Sequence, residues 1–360
     1  MAYNNVINFI EDINEQHENY NFEFENGYPD YKNLDGLKRY YTYMVSTNAS
    51  KKRQKSEYNN CSNFAKENYE KYSLKNFDCD GSGKFYYELT HDIYLKLWAW
   101  KKQNETTFGN IENVFNEVEN SSFGGETMNS SNTITDKIVE KICNKNEELI
   151  EHKKGKFSIN FQIELFANTE TQATFIKHLK FFEGLEEYIN AYHTIGNFCL
   201  VPAYFNGDRG SKLGLSDYWD LSLEYLQTYG WDKSKFTKDK FNKYVNYFFL
   251  WDYVEAKDSK NYIIKELSPH EYSEDSIKRF LKDTTKFIKR RGIFMVGILQ
   301  IQKEISVEKY NEIRKIIFCS NNTFCGYEDV LNKITNILRN DEIAIIKIDK
   351  IKEKIENIKI

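Results

Sequence analysis

The residues best suited to chemistry lie in one central stretch of the chain, residues 193 to 224. His193 precedes an Ile-Gly-Asn turn, Asp217 and Asp220 lie where a helix is predicted to begin, and Arg209 lies in the polar turn between them. A histidine that contacts a carboxylate can act as an oriented general base. His193, Asp217 and Asp220 are therefore the candidate catalytic residues.

The same residues also fit a structural role. Asp217 is favoured at a helix N-terminus by the helix dipole, and a buried polar network would lock the strand to the helix. Gly196 permits close backbone approach, and the amide of Asn197 can staple the loop. The sequence leaves the catalytic and the structural interpretations open.

A strand and several helices are predicted to position this stretch. "NFCLVP" at 197 to 202 predicts an apolar strand, and an N-cap serine and a final glycine delimit a helix over 216 to 230. A second helix is predicted over 237 to 256 and a third over 273 to 304, with an interruption allowed at Gly292.

The remainder of the chain also indicates a helical protein. Helical periodicity marks residues 4 to 20, 35 to 46 and 86 to 102, whereas alternating apolar residues over 156 to 166 predict a strand. The predicted fold class is mainly α with a few short strands (α+β), a helical globular protein with a central strand-loop-helix unit.

A stretch rich in Ser, Asn and Gly suggests how the chain is divided. It predicts a flexible loop over 116 to 136. The division that follows has a helical N-terminal region over 1 to 115, a main helical region over 137 to 340 that holds the central loop, and an amphipathic C-terminal helix over 341 to 360.

Composition and charge narrow the class of protein. The formal net charge of -4 gives no global attraction to nucleic acid or to anionic membranes, so such binding requires a local patch. The longest apolar stretch, 292 to 301, is about half of the roughly 20 residues that a membrane-spanning helix needs. The acidic N-terminus lacks the basic start of a signal peptide. A cytoplasmic protein with no membrane partner is expected.

One predicted helix carries a row of lysines on a single side. These are Lys278, Lys282, Lys286 and Lys289. Such a row can bind the phosphates of a nucleic acid, or it can be an ordinary solvated face. Both interpretations stay open.

The C-terminal helix carries a seam of isoleucines at helical spacing. These are Ile348, Ile351, Ile355 and Ile358. A seam of this period requires a second helix as its partner. The partner is either part of the same chain or a second protein, including a second copy of this one.

"DCDGSGK" at 78 to 84 is similar to the opening of a calcium loop, with alternating oxygen ligands before a glycine. The twelfth position of such a loop requires a bidentate glutamate, and here it is Leu89. A Gly-rich turn before a helix is the alternative, and it fits the sequence better.

The central motifs resemble an uncharacterised family of bacterial proteins. "HTIGN" at 193 to 197, "DYWDLSLE" at 217 to 224 and "FFLWDYV" at 248 to 254 occur in the same order and at similar spacing in that family. "DCDGSGKF" and "LKLWAWKK" within 78 to 102 extend the resemblance towards the N-terminus. The resemblance implies bacterial or phage relatives without implying a reaction.

"IGNFCLVPAYFN" at 195 to 206 also resembles a segment of HNH, or His-metal finger, endonuclease domains found in restriction and defence proteins. The resemblance implies a divalent metal that binds the scissile phosphate and a histidine that activates water. It gives Asn197 and Asn206 loop-stapling positions, with Asn206 near the metal, and it places Arg209 against phosphate. The acidic-histidine element of those domains does not precede His193, so the loop is a degenerate version.

Three functions follow as hypotheses. The first is association with nucleic acid in a defence or mobile-element context. The second is a non-catalytic helical protein-interaction module in which the "HTIGN" loop is structural. The third is a metal-dependent phosphodiesterase or nuclease that uses His193.

Overall fold

A computed structural model describes residues 37, 38, 40, 41, 44, 97, 123–129, 131–151, 156–192, 194–202, 205, 218–228, 238–258, 261–269, 271–319 and 326–358. In chain order the elements are β1 (Phe123–Thr127), α1 (Asn132–Cys143), α2 (Glu147–Ile150), α3 (Ile159–Ala167), α4 (Thr169–Lys180), α5 (Leu185–Tyr192), a 3-10 helix (Ile195–Asn197), β2 (Phe198–Pro202), α6 (Trp219–Thr228), α7 (Lys238–Tyr247), a 3-10 helix (Trp251–Tyr253), β3 (Val254–Asp258), β4 (Asn261–Ile264), α8 (Glu274–Glu304), α9 (Val307–Cys319), α10 (Tyr327–Ile337) and α11 (Glu342–Asn357). The predicted class, mainly α with a few short strands, is confirmed. No described helix is both long and apolar enough to cross a bilayer.

The long helix α8 is the central element, and α5, α11 and the first 3-10 helix pack on it. Ser273 caps its N-terminus by accepting a hydrogen bond from the Ser276 amide at 3.1 Å. The helix continues through Gly292 without the interruption that the sequence allowed. Its glycines instead let neighbours approach closely, since a Cβ at Gly297 would lie 2.4 Å from Cδ1 of Ile351.

The isoleucine seam of α11 packs inside the chain. Ile348, Ile351 and Ile355 are all buried, and α11 lies against α8. Arg290 of α8 donates to the carbonyl oxygens of Ile355 and Ile358 and so caps the C-terminal end of α11. The sequence left open whether the seam packs on its own chain or on a second protein. The three buried isoleucines pack on their own chain.

The described strands form two antiparallel sheets of two strands each. β1 pairs with β2, with Phe123 opposite Pro202 and Thr127 opposite Phe198, and β3 pairs with β4. The strand β2 is confirmed, but β1 and the start of α1 lie inside the stretch 116 to 136 that was predicted to be a flexible loop. The prediction was wrong there because the sequence of β1, Phe-Gly-Gly-Glu-Thr, lacks apolar alternation and pairs through its main chain.

The predicted strand over 156 to 166 is a helix, α3. Alternation predicted that Gln162 would face solvent, but this side chain is buried. Its Oε1 accepts a hydrogen bond from the Tyr41 hydroxyl at 2.6 Å, and its Nε2 donates to Asp136 at 2.6 Å. A short helix that is buried on nearly every side has no solvent-facing stripe, so the pattern could not distinguish it from a strand.

The predicted helix over 237 to 256 is also shorter than expected. α7 ends at Tyr247, and Phe249 adopts a positive φ of 55°. The helix ends in a Schellman-type cap, in which the Leu250 amide donates to the Val245 carbonyl oxygen at 2.9 Å, and the Phe249 carbonyl oxygen accepts a hydrogen bond from the Tyr327 hydroxyl at 2.8 Å. The rest of the segment forms the second 3-10 helix and β3.

Isolated described residues of the N-terminal region belong to the same core. Leu37, Tyr40 and Tyr41 are helical and buried, as is Leu97. The Tyr310 hydroxyl of α9 donates to the Leu97 carbonyl oxygen at 3.0 Å. The predicted helices over 35 to 46 and 86 to 102 are therefore helical at these residues, whereas 4 to 20 and 78 to 84 lie outside the described residues.

Candidate functional site

The structure describes two residues of the central constellation and leaves four undescribed. Asn197 and Asp220 are both buried. His193, Asn206, Arg209 and Asp217 lie outside the described residues. The metal-dependent nuclease alternative depends on those four residues and stays a prediction.

The side chain of Asn197 is saturated with hydrogen bonds. Its Nδ2 donates to the carbonyl oxygens of Asn129 and Tyr192, each at 2.9 Å. Its Oδ1 accepts from the main-chain nitrogen of Asn129 at 3.1 Å and from Asn129 Nδ2 at 3.3 Å. A planar amide uses both its donors and its acceptor here. Asn197 thus joins the end of α5 to the segment after β1.

Asn129 is the centre of this network, and no motif in the sequence marks it. Besides Asn197, its side chain accepts from the Trp219 amide at the start of α6 and donates to the Tyr253 hydroxyl. The Tyr188 hydroxyl donates to its carbonyl oxygen at 3.4 Å. One asparagine in a stretch rich in Ser and Asn therefore connects four separate segments of the fold.

The 3-10 helix of the "HTIGN" motif packs directly on the backbone of α8. A Cβ placed on Gly196 would lie 1.9 Å from the carbonyl oxygen of Ile288 and 2.9 Å from the nitrogen of Gly292. Real side chains do not approach backbone atoms so closely, so only glycine fits without a shift of the helix or the turn. Gly196, which belongs to the segment that resembles a nuclease motif, is required here for packing.

Arg291 holds the same 3-10 helix from the α8 side. Its guanidinium is fully buried and donates to main-chain carbonyl oxygens of four residues: Ile195, Gly196, Phe198 and Phe248. These bonds replace water around a buried positive charge. Arg291 thereby joins the "HTIGN" and "FFLWDYV" motifs.

Asp220 binds the turn that precedes α8. Its Oδ2 accepts from the main-chain nitrogens of Leu267 and Ser268, both at 2.8 Å. Its Oδ1 is buried and has no hydrogen-bond partner among the residues that the structure describes. In these hydrogen bonds Asp220 has a structural role, because it holds the turn at Leu267 and Ser268 in place.

Asp252 forms an ion pair with Arg290 across the edge of the core. Oδ2 of Asp252 accepts from Nε of Arg290 at 2.8 Å, and the guanidinium also lies 5.5 Å from the Tyr327 ring. Burial raises the pKa of the Asp252 carboxyl, and Arg290 offsets this rise in part. Burial also raises the pKa values of the Tyr253 and Tyr327 hydroxyls.

The divalent metal implied by the HNH resemblance has no counterpart in the described part of the chain. Among the described residues, no three His, Cys, Asp or Glu side chains form a group that could hold a metal ion. Asn206, which the resemblance places near the metal, and His193, which it makes the residue that activates water, lie outside the described residues.

The lysine row of α8 is partly paired with acidic residues. Lys278 contacts Glu274 at 3.0 Å, and Lys289 lies 3.8 Å from Glu187 of α5. Lys282 is exposed and Lys286 is half-buried. Neither has an ion-pair partner among the described residues, and the same holds for the exposed Arg279, which the sequence interpretation had omitted.

Several large apolar side chains are exposed on the described surface. Phe181, in the turn after α4, is 73% exposed, and Ile343 and Ile346 on the outer face of α11 are 58% and 56% exposed. Most apolar side chains of this protein are buried in the core. These positions and the cations of α8 are the surface features from which a function can be argued.

Comparisons with known proteins add no assignment to this geometry. No family model matches the chain, and neither a curated protein nor a solved structure matches it. The two resemblances seen in the sequence stay predictions. Function is therefore inferred from the arrangement of the described residues.

Proposed function

We propose that this protein associates with nucleic acid through the exposed face of the first half of α8, and that the "HTIGN" loop supports this helix from inside. The observation that carries the proposal is the row of cations Arg279, Lys282 and Lys286, which have no ion-pair partner among the described residues. Unpaired cations can neutralise phosphates without first breaking an ion pair.

The spacing of these cations suits a chain of phosphates. In an α-helix, Arg279 and Lys282 are about 4.5 Å apart along the axis, and Lys282 and Lys286 are about 6 Å apart. The three positions also fall within one side of the helix, because separations of three and four residues return to the same face. The row therefore brings three cations onto one side of α8, where the carboxylates of Asp275 and Asp283 occur at the same helical spacing.

The supporting role of the loop follows from its bonds. Arg291 and Gly196 fix the 3-10 helix against α8, and Asn197 fixes it to the segment after β1. A rigid helix loses little entropy when its side chains meet a ligand. The proposal assigns no bond-breaking step to Asn197 or Asp220, whose described side-chain bonds hold neighbouring segments of the chain.

Binding of fluorescein-labelled oligonucleotides, followed by fluorescence anisotropy, tests the proposal. We expect the combined variant Arg279→Ala, Lys282→Ala and Lys286→Ala to bind at least about tenfold more weakly than the wild type at low salt. The matched control is Lys315→Ala, Lys333→Ala and Lys350→Ala. It removes the same charge from exposed positions on α9, α10 and α11 that also lack an ion-pair partner among the described residues.

Equal weakening in the two triple variants would mean that net charge matters and the α8 row does not. Absence of binding by the wild type would contradict the proposal directly. Unchanged melting temperatures in both variants would confirm that the loss of binding is not a loss of folding.

Self-association is a second candidate, favoured by the exposed Ile343 and Ile346. Both lie on the face of α11 opposite the buried seam. We expect sedimentation equilibrium to show a concentration-dependent dimer that Ile343→Lys with Ile346→Lys abolishes. A wild type that stays monomeric at all concentrations would exclude this candidate.

A further inference from the structure

We infer that the nucleic acid bound by α8 is single-stranded and that one of its bases stacks on the exposed ring of Phe181. This inference rests on the proposed function and names its ligand. Phe181 follows the last residue of α4 and is 73% exposed, more than any other large apolar side chain of the described surface. An aromatic ring in water beside cations is the usual platform for an unpaired base.

The turn that carries Phe181 lies against the middle of the row of cations on α8. Gly184 has a φ of 85°, and a Cβ placed on it would lie 3.4 Å from Cβ of Leu281 and 3.8 Å from the main-chain nitrogen of Lys282. Three residues span at most about 10 Å. The main chain of Phe181 therefore lies close enough to that of Lys282 for a strand of a few nucleotides to reach both side chains.

The turn is held in place, so the ring is presented on a fixed support. Phe182, the next residue, is buried, and Nζ of Lys278 lies 5.9 Å from the centre of its ring. The amide of Phe181 donates to the His178 carbonyl oxygen, and the amide of Leu185 donates to that of Phe182. The exposed ring of Phe181 is therefore carried by a turn that the buried Phe182 holds in place. A fixed turn limits the entropy lost when a base stacks on the ring.

Additional positive charge lies on the α4 side of the ring. Lys177 is exposed, lies one helical turn before Phe181, and has no ion-pair partner among the described residues. Cations thus occur on both helices next to this turn, Lys177 on α4 and Lys282 on α8. A strand whose base stacks on Phe181 has phosphates on each side of that base, and these two lysines can neutralise them.

Two features favour one strand over a duplex. Bases in a duplex are covered by their neighbours, so an aromatic ring can stack only on a base that is already unstacked. Acidic residues also limit the positive surface, because Glu187 of α5 lies 3.8 Å from Lys289 and Glu183 follows Phe181 by two residues. The second strand of a duplex would bring phosphates towards these carboxylates.

Anisotropy with fluorescein-labelled oligothymidylate and with a blunt duplex of the same length tests this inference. We expect the wild type to bind the single strand more tightly than the duplex. Phe181→Ala is expected to weaken single-strand binding by about 5- to 150-fold and to change duplex binding little. Phe181→Trp should retain single-strand binding, and Phe181→Leu should lose it, because leucine keeps the apolar surface without the aromatic face.

Ile263→Ala removes another exposed apolar side chain, on β4, and is the matched control. It should bind like the wild type. Tighter binding of the duplex, or equal single-strand binding by Phe181→Ala and the wild type, would overturn the inference. If Phe181→Ala has no effect while the α8 triple variant loses binding, the proposed function stands and the stacking site does not. If the wild type binds neither oligonucleotide, both fail.

Discussion

Asn197 and Asn129 hold each other in both directions. Nδ2 of Asn197 donates to the carbonyl oxygen of Asn129 at 2.9 Å, and the main-chain nitrogen of Asn129 donates to Oδ1 of Asn197 at 3.1 Å. The pair connects the start of β2 to the segment that leads into α1. Asn197, which occupies an asparagine position of the nuclease-like segment, thus links two parts of the core through hydrogen bonds.

Replacement of Asn197 by aspartate should destabilise the protein strongly. The new carboxylate oxygen would face the carbonyl oxygens of Asn129 and Tyr192, and the buried negative charge would have donors at only one of its two oxygens. We expect the free energy of unfolding to fall by about 3–5 kcal/mol, measured by urea denaturation. Asn340→Asp, at an exposed position, is the control and should cost little. Similar unfolding of both variants would contradict the proposed role of Asn197.

Gly196→Ala tests the packing of the 3-10 helix on α8. The added Cβ meets backbone atoms of Ile288 and Gly292, which no side-chain rotation can relieve. We expect a loss of at least about 3 kcal/mol, or failure to fold. Gly326→Ala is a matched control, because nothing lies within 4 Å of its Cβ, and it should cost less than about 1 kcal/mol. Thermal melting of both variants measures the difference, and a tolerated Gly196→Ala would show that the turn is not packed as described.

Burial of the Asp252 carboxyl gives the stability a defined pH dependence. Burial raises the pKa of Asp252 in the folded protein above its unfolded value of about 4, so the folded state binds this proton more tightly than the unfolded state. The contribution therefore favours folding at low pH and is lost as the pH rises through the raised pKa. We expect the free energy of unfolding of the wild type, minus that of Asp252→Asn, to decrease as the pH is raised from about 4 to about 7.

Asp252→Asn is a suitable reference because its amide oxygen can still accept the hydrogen bond from Nε of Arg290. Urea denaturation at several pH values gives the difference between the two proteins. A difference that grows with pH would mean that the attraction to Arg290 outweighs burial.

The two faces of α11 should respond differently to the same substitution. Ile351 is buried against Gly297 of α8, so Ile351→Ala is expected to cost about 2–5 kcal/mol of unfolding free energy. Ile346→Ala, five residues earlier on the exposed face, should change it by less than about 0.5 kcal/mol. Equal costs, measured by urea denaturation, would indicate that α11 does not dock as described.

The sequence predicted the features that depend on local periodicity. The helix over 273 to 304 and the strand β2 were found where they were expected, because an apolar stripe and a short apolar run each reflect burial on a known face. The prediction of a strand over 156 to 166 was wrong because a polar residue in this segment is buried, so the apolar pattern did not reveal which faces are covered. Gln162 is polar yet buried, and its partners Tyr41 and Asp136 are distant in the sequence.

The central constellation could be located from the sequence, but its bonds could not. "HTIGN" identified Gly196 and Asn197 as unusual, yet both meet partners that no local pattern marks: Asn129 in a supposed loop and Arg291 within a lysine-rich helix. The lysine row was visible, but not which of its members are paired. Lys278 and Lys289 lie near Glu274 and Glu187, and the second of these pairs joins residues far apart in the chain.

The salt dependence of binding tests the central claim most directly. Each phosphate contact contributes about 0.7 to the slope of log K against log salt concentration for a single strand, and about 0.9 for a duplex. Measured on oligothymidylate, the slope should decrease in magnitude by about 2 when Arg279, Lys282 and Lys286 are replaced by alanine, and it should not change in the variant of Lys315, Lys333 and Lys350. An identical slope for the wild type and the α8 variant would show that these cations do not contact phosphates and would contradict the account.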